Sequence, residues 1–308
     1  MKPTLNETAD MHSQITALAT LLKLPVFCDY KSYTRVGNST AEEIIYRLLF
    51  AQNCAREQNR YKYRIKNAAF PVVKTLDTFE FDQTRLPDLK KEIVMELATC
   101  AFIEDHSNVV ALGNPGTGKS HLITALGIEA IIKGYTVKFR KAVDLVTQMA
   151  EAVSEKQLSR FIKNVNACDC LVIDELGYLS FDTAGASLLF QIFAARYETK
   201  STMVTSNLAF SKWVGVLGND EHMTSALVSR LIHKSVILNM NGEDYRLQKR
   251  RNQTQTEQER EKDEGRQPDG CQGSLGSLGS LPSAESVIPV RGDSRPCESG
   301  RVRGLPGE

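Results

Sequence analysis

From position 41 the chain reads AEEIIYRLLFAQNCAREQNRYKYRIKNAA, and Ile44, Ile45, Leu48, Leu49, Gln52, Ala55 and Asn59 recur at intervals that line one side of a helix. Ser39 or Thr40, just upstream, supplies the side-chain oxygen that caps a first turn. The pattern predicts one long helix. Phe70-Pro71 breaks it, an irregular stretch follows, and Pro87 then opens PDLKKEIVMELATCAF, with Leu89, Ile93, Leu97 and Cys100 on one helical face. At Asn108 the period changes. NVVAL (108–112), YTVKFR (135–140), CLVI (170–173), STMVTS (201–206) and SVILN (235–239) are short and almost continuously apolar, as strands covered on both faces must be. Helical patterns separate them at 119–133, 142–166, 183–198 and 221–232. Strand alternating with helix five times predicts an α/β class with a doubly wound, mainly parallel sheet.

Three zones result: a helical front with its linker, 1–86; an α/β domain, 87–251; and a tail, 252–308. In the tail periodicity is lost, charge and then Gly, Ser and Pro dominate, and three GSL units from Gly273 read as flexible linker in a disordered segment. The RGD at Arg291 to Asp293 reads as accidental.

Composition adds limits. A chain of 308 residues is long enough to bury an enzyme-sized core. Lys and Arg number 38 against 37 Asp and Glu, so the net charge of +1 exerts no global pull on nucleic acid or membrane, and any basic surface is local. Seven cysteines without paired spacing argue against a disulfide framework and for reduced, structural thiols in a cytoplasmic protein. The start MKPTLNETADMHSQ lacks a signal peptide's apolar core, and no run approaches the ~20 apolar residues that span a bilayer. No membrane partner is expected.

The chemistry concentrates in GNPGTGKS, which follows a predicted strand and opens a predicted helix. Gly113, Asn114, Pro115, Gly116, Thr117 and Gly118 form a loop whose backbone N–H groups turn inward around phosphate oxygens. Lys119 reaches the β and γ phosphates, and the Ser120 hydroxyl ligates Mg²⁺ at a helix N-terminus; His121, next along, joins the nucleotide-contacting set. A glycine-rich turn that binds nothing is the bland alternative. A dinucleotide fold is disfavoured because G-x-G-x-x-G is absent.

LVIDELGY then ends an apolar run with Asp174 and Glu175. Asp174 suits the hydration shell of Mg²⁺, and an adjacent Glu175 suits activation of water, so the pair suggests ATP hydrolysis rather than transfer to a metabolite. Asn207, ending STMVTSN, is able to sense the γ-phosphate, although Ser-Asn is also ordinary turn chemistry. Arg230 and Arg246 each have the reach of a γ-phosphate guanidinium, in cis or from a neighbouring subunit, and each also reads as a surface arginine. In REQNRYKYRIK, Arg56, Arg60, Lys62, Arg64 and Lys66 face one acid, Glu57, with Tyr61 and Tyr63 interleaved. This is either a phosphate-contacting DNA surface or a solvated helix end. The five histidines show no ligand spacing.

GNPGTGKSHLITALGIEAIIKGYTVKF, LVIDELGYLSFDTAGASLLFQIFAARYE, STMVTSNLAFSKW and LVSRLIHKSVILNMNGEDYRL, with NAAFPVVKTLDTFEFD in front, together resemble IstB, the ATPase helper family of bacterial insertion sequences. The resemblance runs from about 12 to 250, and DnaC-like helicase loaders are the nearest family outside it. It implies an AAA+ fold with a five-stranded sheet in the order 5-1-4-3-2, Asn207 as sensor, Arg230 as the finger given to a neighbour's ATP, and Arg246 as second sensor. The active site would then be completed only in a homo-oligomer. It also implies ATP and Mg²⁺ as cofactors, assembly on double-stranded DNA, and stimulation of the element's transposase. A helicase loader on single-stranded DNA, or a small-molecule kinase from another class, are the competing expectations. Residues 252–308 lie beyond the resemblance.

Overall fold

A computed structural model describes residues 10–34 and 39–245. Arg246 and the tail from 252 lie outside the described residues.

The front comprises α1 (Met11–Leu21), α2 (Pro25–Cys28), α3 (Tyr30–Thr34) and the 28-residue α4 (Ala41–Ala68). Of the two candidate caps, Thr40 does the work: its backbone is extended and its Oγ1 accepts from the Glu43 amide at 3.3 Å. Only half of the expected stripe turns inward. Ile44, Leu48, Gln52 and Ala55 are buried or half-buried, whereas Ile45 and Leu49 stay 54% and 56% exposed. The short helices α1 to α3 are too small to cover a broad face. Gln52 belongs on the stripe for a polar reason, because its Oε1 accepts from the Val26 amide at 3.2 Å and so satisfies an orphan donor in the first turn of α2. Farther along, α4 changes partner. Ile65 and Ala68 join the core beneath the sheet, and Phe70 packs on Phe139 with ring centroids 5.8 Å apart.

The helix expected from Pro87 begins later, at α5 (Lys91–Ala98), and a four-residue α6 (Ala101–Glu104) follows. Residues 82–89 instead make turns, with Leu86 N bonded to Asp82 O and Leu89 N to Leu86 O, which bury Leu86 and Leu89 without a helix. Cys100 ends α5 with a φ of 64°, a conformation that stops helical propagation. Its thiol is buried, and burial raises its pKa to about 11.

The five strands are β1 (Asn108–Leu112), β2 (Val137–Lys141), β3 (Cys170–Leu176), β4 (Ser201–Ser206) and β5 (Ser235–Asn239). All pair in parallel, in the order β2-β3-β4-β1-β5, which is the AAA+ order read from the other edge. Three strands keep their expected limits; β2 starts two residues later than expected, and β3 runs on through both carboxylates to Leu176. Strand alternation splits the sheet between two cores. Val109, Ala111, Val172 and Met203 meet α7 (Lys119–Ile132) with α5, while Val110, Leu171, Ile173 and Val204 meet α8 (Ala142–Ser154), α10 (Thr183–Arg196) and α11 (Glu221–Ile232). The single helix expected over 142–166 is two, since Lys156 at φ 58° separates α8 from α9 (Leu158–Asn166). No described helix is long and apolar enough to cross a membrane.

Arg196, at the end of α10, is 1% exposed. The Arg196 guanidinium donates to Ser201 O at 2.6 Å, Asp169 O at 3.2 Å and Cys168 O at 3.3 Å, while Nε reaches Thr202 Oγ1 at 3.2 Å. It ties the starts of β3 and β4 together. Arg196→Met keeps the apolar stem but strands these acceptors, and since charged hydrogen bonds are worth ~1.5–3 kcal/mol each, it is expected to cost about 3 kcal/mol or more. Urea denaturation followed by circular dichroism measures this; a loss below about 1 kcal/mol would refute the staple.

Candidate active site

Leu112 delivers the chain to the phosphate loop at the C-terminal edge of the sheet, where Gly113 N bonds Ser206 O at 3.2 Å. Gly116 and Gly118 have φ of 77° and 97°, left-handed values that a side chain would strain and that bring successive amides to the inner side of the turn. Lys119 Nζ closes the loop by donating to Gly113 O at 2.8 Å and Asn114 O at 2.6 Å. Burial holds this amine below the ordinary lysine pKa, with Asp174 pulling the other way. Thr117 Oγ1 donates to Asn114 O at 2.9 Å, Pro115 is exposed at the tip, and Asn114 Nδ2 reaches Gly242 O at 3.3 Å.

Across the edge, Ser120 Oγ donates to Asp174 Oδ1 at 2.8 Å. Thr205 Oγ1 donates to the same oxygen at 2.5 Å and accepts from the Glu175 amide at 2.9 Å. Asp174 is 4% exposed, and the Ser120 and Thr205 hydroxyls both donate to its Oδ1. A buried carboxylate beside a helix-terminal hydroxyl is a donor set that fits a hard divalent ion. Glu175 departs from it. Its φ is 61°, and its Oε2 meets Lys141 Nζ at 2.9 Å, at the end of β2. That hydrogen bond is the main reason the Lys141 pKa is raised.

The other expected residues divide. Asn207 is half-buried one step past β4, beside the strand end that feeds Gly113. Arg230 is not brought to the loop: it donates to Ala226 O at 2.9 Å and lies 5.0 Å over the Phe190 ring, on α10 and α11. Arg56, Lys62 and Lys66 are exposed on α4, and Arg60 is exposed but paired with Glu57 at 2.5 Å. Arg64 differs, being half-buried beside Gly134 and the start of β2.

A cleft of about 390 Å³ beside the loop is walled in part by residues of the irregular stretch that follows Phe70-Pro71. Phe79 stands over Gly118, 3.1 Å from where a Cβ would be, and meets the His121 ring edge-on at 5.4 Å. His121 Nε2 lies 3.1 Å from Thr78 Oγ1 and 3.2 Å from Thr75 O, and burial lowers its pKa. Arg85, 6% exposed, donates to Thr117 O at 3.3 Å and stacks 5.3 Å over Tyr245. Tyr245 in turn bonds Gly116 O through its amide at 3.1 Å and Glu80 Oε1 through its hydroxyl at 3.2 Å. The available signal was TFEFD, whose two phenylalanines alternate with acids as a half-buried segment does.

Sheet order, phosphate loop and acidic pair define a phosphate-loop nucleotide-binding protein of AAA+ type. Residues 18–253 match the model for the family described as IstB-like ATP binding protein, and the chain belongs to that family. It is 37% identical to the insertion sequence IS5376 ATP-binding protein of Geobacillus stearothermophilus, over 79% of this chain and 96% of that one. It is 39% identical to the insertion sequence IS21 ATP-binding protein of Pseudomonas aeruginosa, over 64% of this chain and 73% of that one. Among solved structures it resembles AMPPCP-bound DnaA from Aquifex aeolicus, with 25% identity and a TM-score of 0.44 over 55% of this chain and 50% of that one.

If Lys119 binds phosphate, Lys119→Met would remove one charge-assisted contact and keep the buried stem, so ATP affinity is expected to fall at least ~10-fold, at ~1.5–3 kcal/mol per such bond. Isothermal titration with ATP tests it, and an unchanged Kd would detach Lys119 from the phosphates.

Proposed function

We propose that this protein hydrolyses ATP within a homo-oligomer assembled on double-stranded DNA, and that the cycle stimulates the transposase of its own insertion sequence. The observation that carries the hydrolytic part is the adjacency of Asp174 and Glu175 at the end of β3, with Ser120 of the phosphate loop bonded to the first and the second left toward the open edge. Ser120, and Asp174 through water, would hold Mg²⁺, which would supply charge neutralisation at the β and γ phosphates. Lys119 and the loop amides bind the triphosphate and His121 flanks it; Glu175, released from Lys141, accepts a proton from the attacking water. Asn207 fixes that water or the γ-phosphate by hydrogen bonding.

Because the contacts of Arg230 are on α10 and α11, its role in this reading is toward the ATP of a neighbouring subunit, which makes the oligomer part of the catalyst. Arg246, just beyond Tyr245, is assigned to the chain's own nucleotide. The DNA surface is assigned to Arg56, Arg60, Lys62, Arg64 and Lys66 on α4, with Arg64 half-buried and the other four exposed. The insertion-sequence names of the relatives support the element's transposase as partner, and a cytoplasmic location belongs to the same reading. The resemblance keeps a helicase loader as the second reading, separated by competition between duplex and single-stranded DNA and by pull-down against transposase and replicative helicase.

Glu175→Gln is expected to keep ATP binding while lowering turnover ~100-fold or more, the range of general-base catalysis. Phosphate release together with nucleotide titration measures both; full turnover in this variant would remove Glu175 as the base.

Replacing Arg56, Lys62 and Lys66 together with Glu is expected to weaken duplex DNA binding and flatten its dependence on salt concentration, since each lost phosphate contact lowers the slope by about one. Unaltered affinity across a salt series would assign α4 to protein contacts.

A further inference from the structure

Thr205, inside STMVTSN, has no role assigned to it above, yet its hydroxyl touches both members of the acidic pair. The β3 and β4 ladder pairs Ile173 with Val204 and resumes with Leu176 against Ser206, so Asp174 and Glu175 together oppose the single residue Thr205. Such a bulge disrupts the regular ladder and re-aims the side chains around it. Here the Glu175 amide finds its acceptor in Thr205 Oγ1 at 2.9 Å, and the Thr205 proton goes to Asp174 Oδ1. The direction is fixed by chemistry: an amide only donates and an ionised carboxylate only accepts, so the hydroxyl between them has one orientation. Thr205 is 1% exposed, which leaves water little room to substitute for it.

We infer that Thr205 is a positioning residue for ATP hydrolysis, one hydroxyl that sets the geometry of both carboxylates. This rests on the hydrolytic reading above. Glu175 adopts a left-handed φ of 61°, which a non-glycine residue holds only where its surroundings over-determine it, and the bond from its amide to Thr205 is such a constraint. The same oxygen orients Asp174 toward Ser120. Asn207 lies two residues farther along, so the residue that would read the γ-phosphate and the one that aims the carboxylates share a short piece of backbone.

The test is steady-state ATP turnover by the full chain for wild type, Thr205→Val, which keeps the shape and removes the hydroxyl, and Thr205→Ser, which keeps the hydroxyl. Expected are a fall in kcat of about 10-fold or more in Thr205→Val with KM for ATP changed less than about 3-fold, and recovery to within about 2-fold in Thr205→Ser, since displacing catalytic groups lowers kcat while ground-state binding persists. If Thr205→Val does not fold, Thr205→Cys, a much weaker donor, carries the same expectation. Single-turnover rates of the Glu175→Gln variant with and without Thr205→Val complete the cycle: a residue acting through Glu175 loses most of its effect there, whereas undiminished multiplication of the two losses overturns the inference. Wild-type turnover with an unchanged Thr205→Val rate overturns it alone, while absence of turnover in the wild type overturns the hydrolytic reading as well.

Discussion

Everything in this molecule follows from a parallel sheet that has to be covered on both faces. Alternate residues of each central strand feed two separate cores, so polar side chains inside the strands have no solvent to turn to. Polar chemistry is driven to the strand ends, and the order β2-β3-β4-β1-β5 gathers the C-terminal ends of β1, β4 and β3 side by side. Phosphate loop, Thr205 and acidic pair are neighbours for that reason, although about sixty residues of chain separate the loop from the pair and thirty more separate the pair from Thr205. Where charge does enter the interior, as at Arg196, it does so with carbonyls arranged around it.

The sequence was most legible where one local rule decided the structure. NVVAL, STMVTS and SVILN are apolar runs of strand length between turn residues, and their limits match β1, β4 and β5 to the residue. The loop was readable because its glycines, lysine and serine have fixed offsets, and Asp174 because it follows an apolar run of strand length. Legibility failed where a contact distant in sequence decided. Leu89 has helical spacing with Ile93 and Leu97 but is buried by a turn, and Ile45 and Leu49 have core spacing on a face the short front helices leave bare. The cleft wall at Phe79 and Arg85 depends on a segment with little regular structure of its own, so only the short alternation in TFEFD announced it.

The acidic pair shows both regimes at once. Its composition was visible as two letters, and the chemistry proposed for it follows from the upstream loop. Its geometry was not visible, because the extra residue in β3, the left-handed backbone of Glu175 and the ion pair to Lys141 arise from pairing with β2 and β4. Lys141 and Glu175 are each close to half exposed, so their attraction is weak enough to exchange for another partner at small cost.

The segment after β5 is laid across the phosphate loop. Met240 O stands where a side chain on Gly113 would be, Gly242 O receives the Asn114 amide, the Asp244 carboxylate packs on Gly116, and Tyr245 is bonded to Gly116 O. The loop is therefore a clasp as well as a cradle. The chain that leaves β5 is held by the Gly116 carbonyl and the Asn114 side chain of the same loop whose amides turn inward, so a shift of residues 113–118 is transmitted to 240–245.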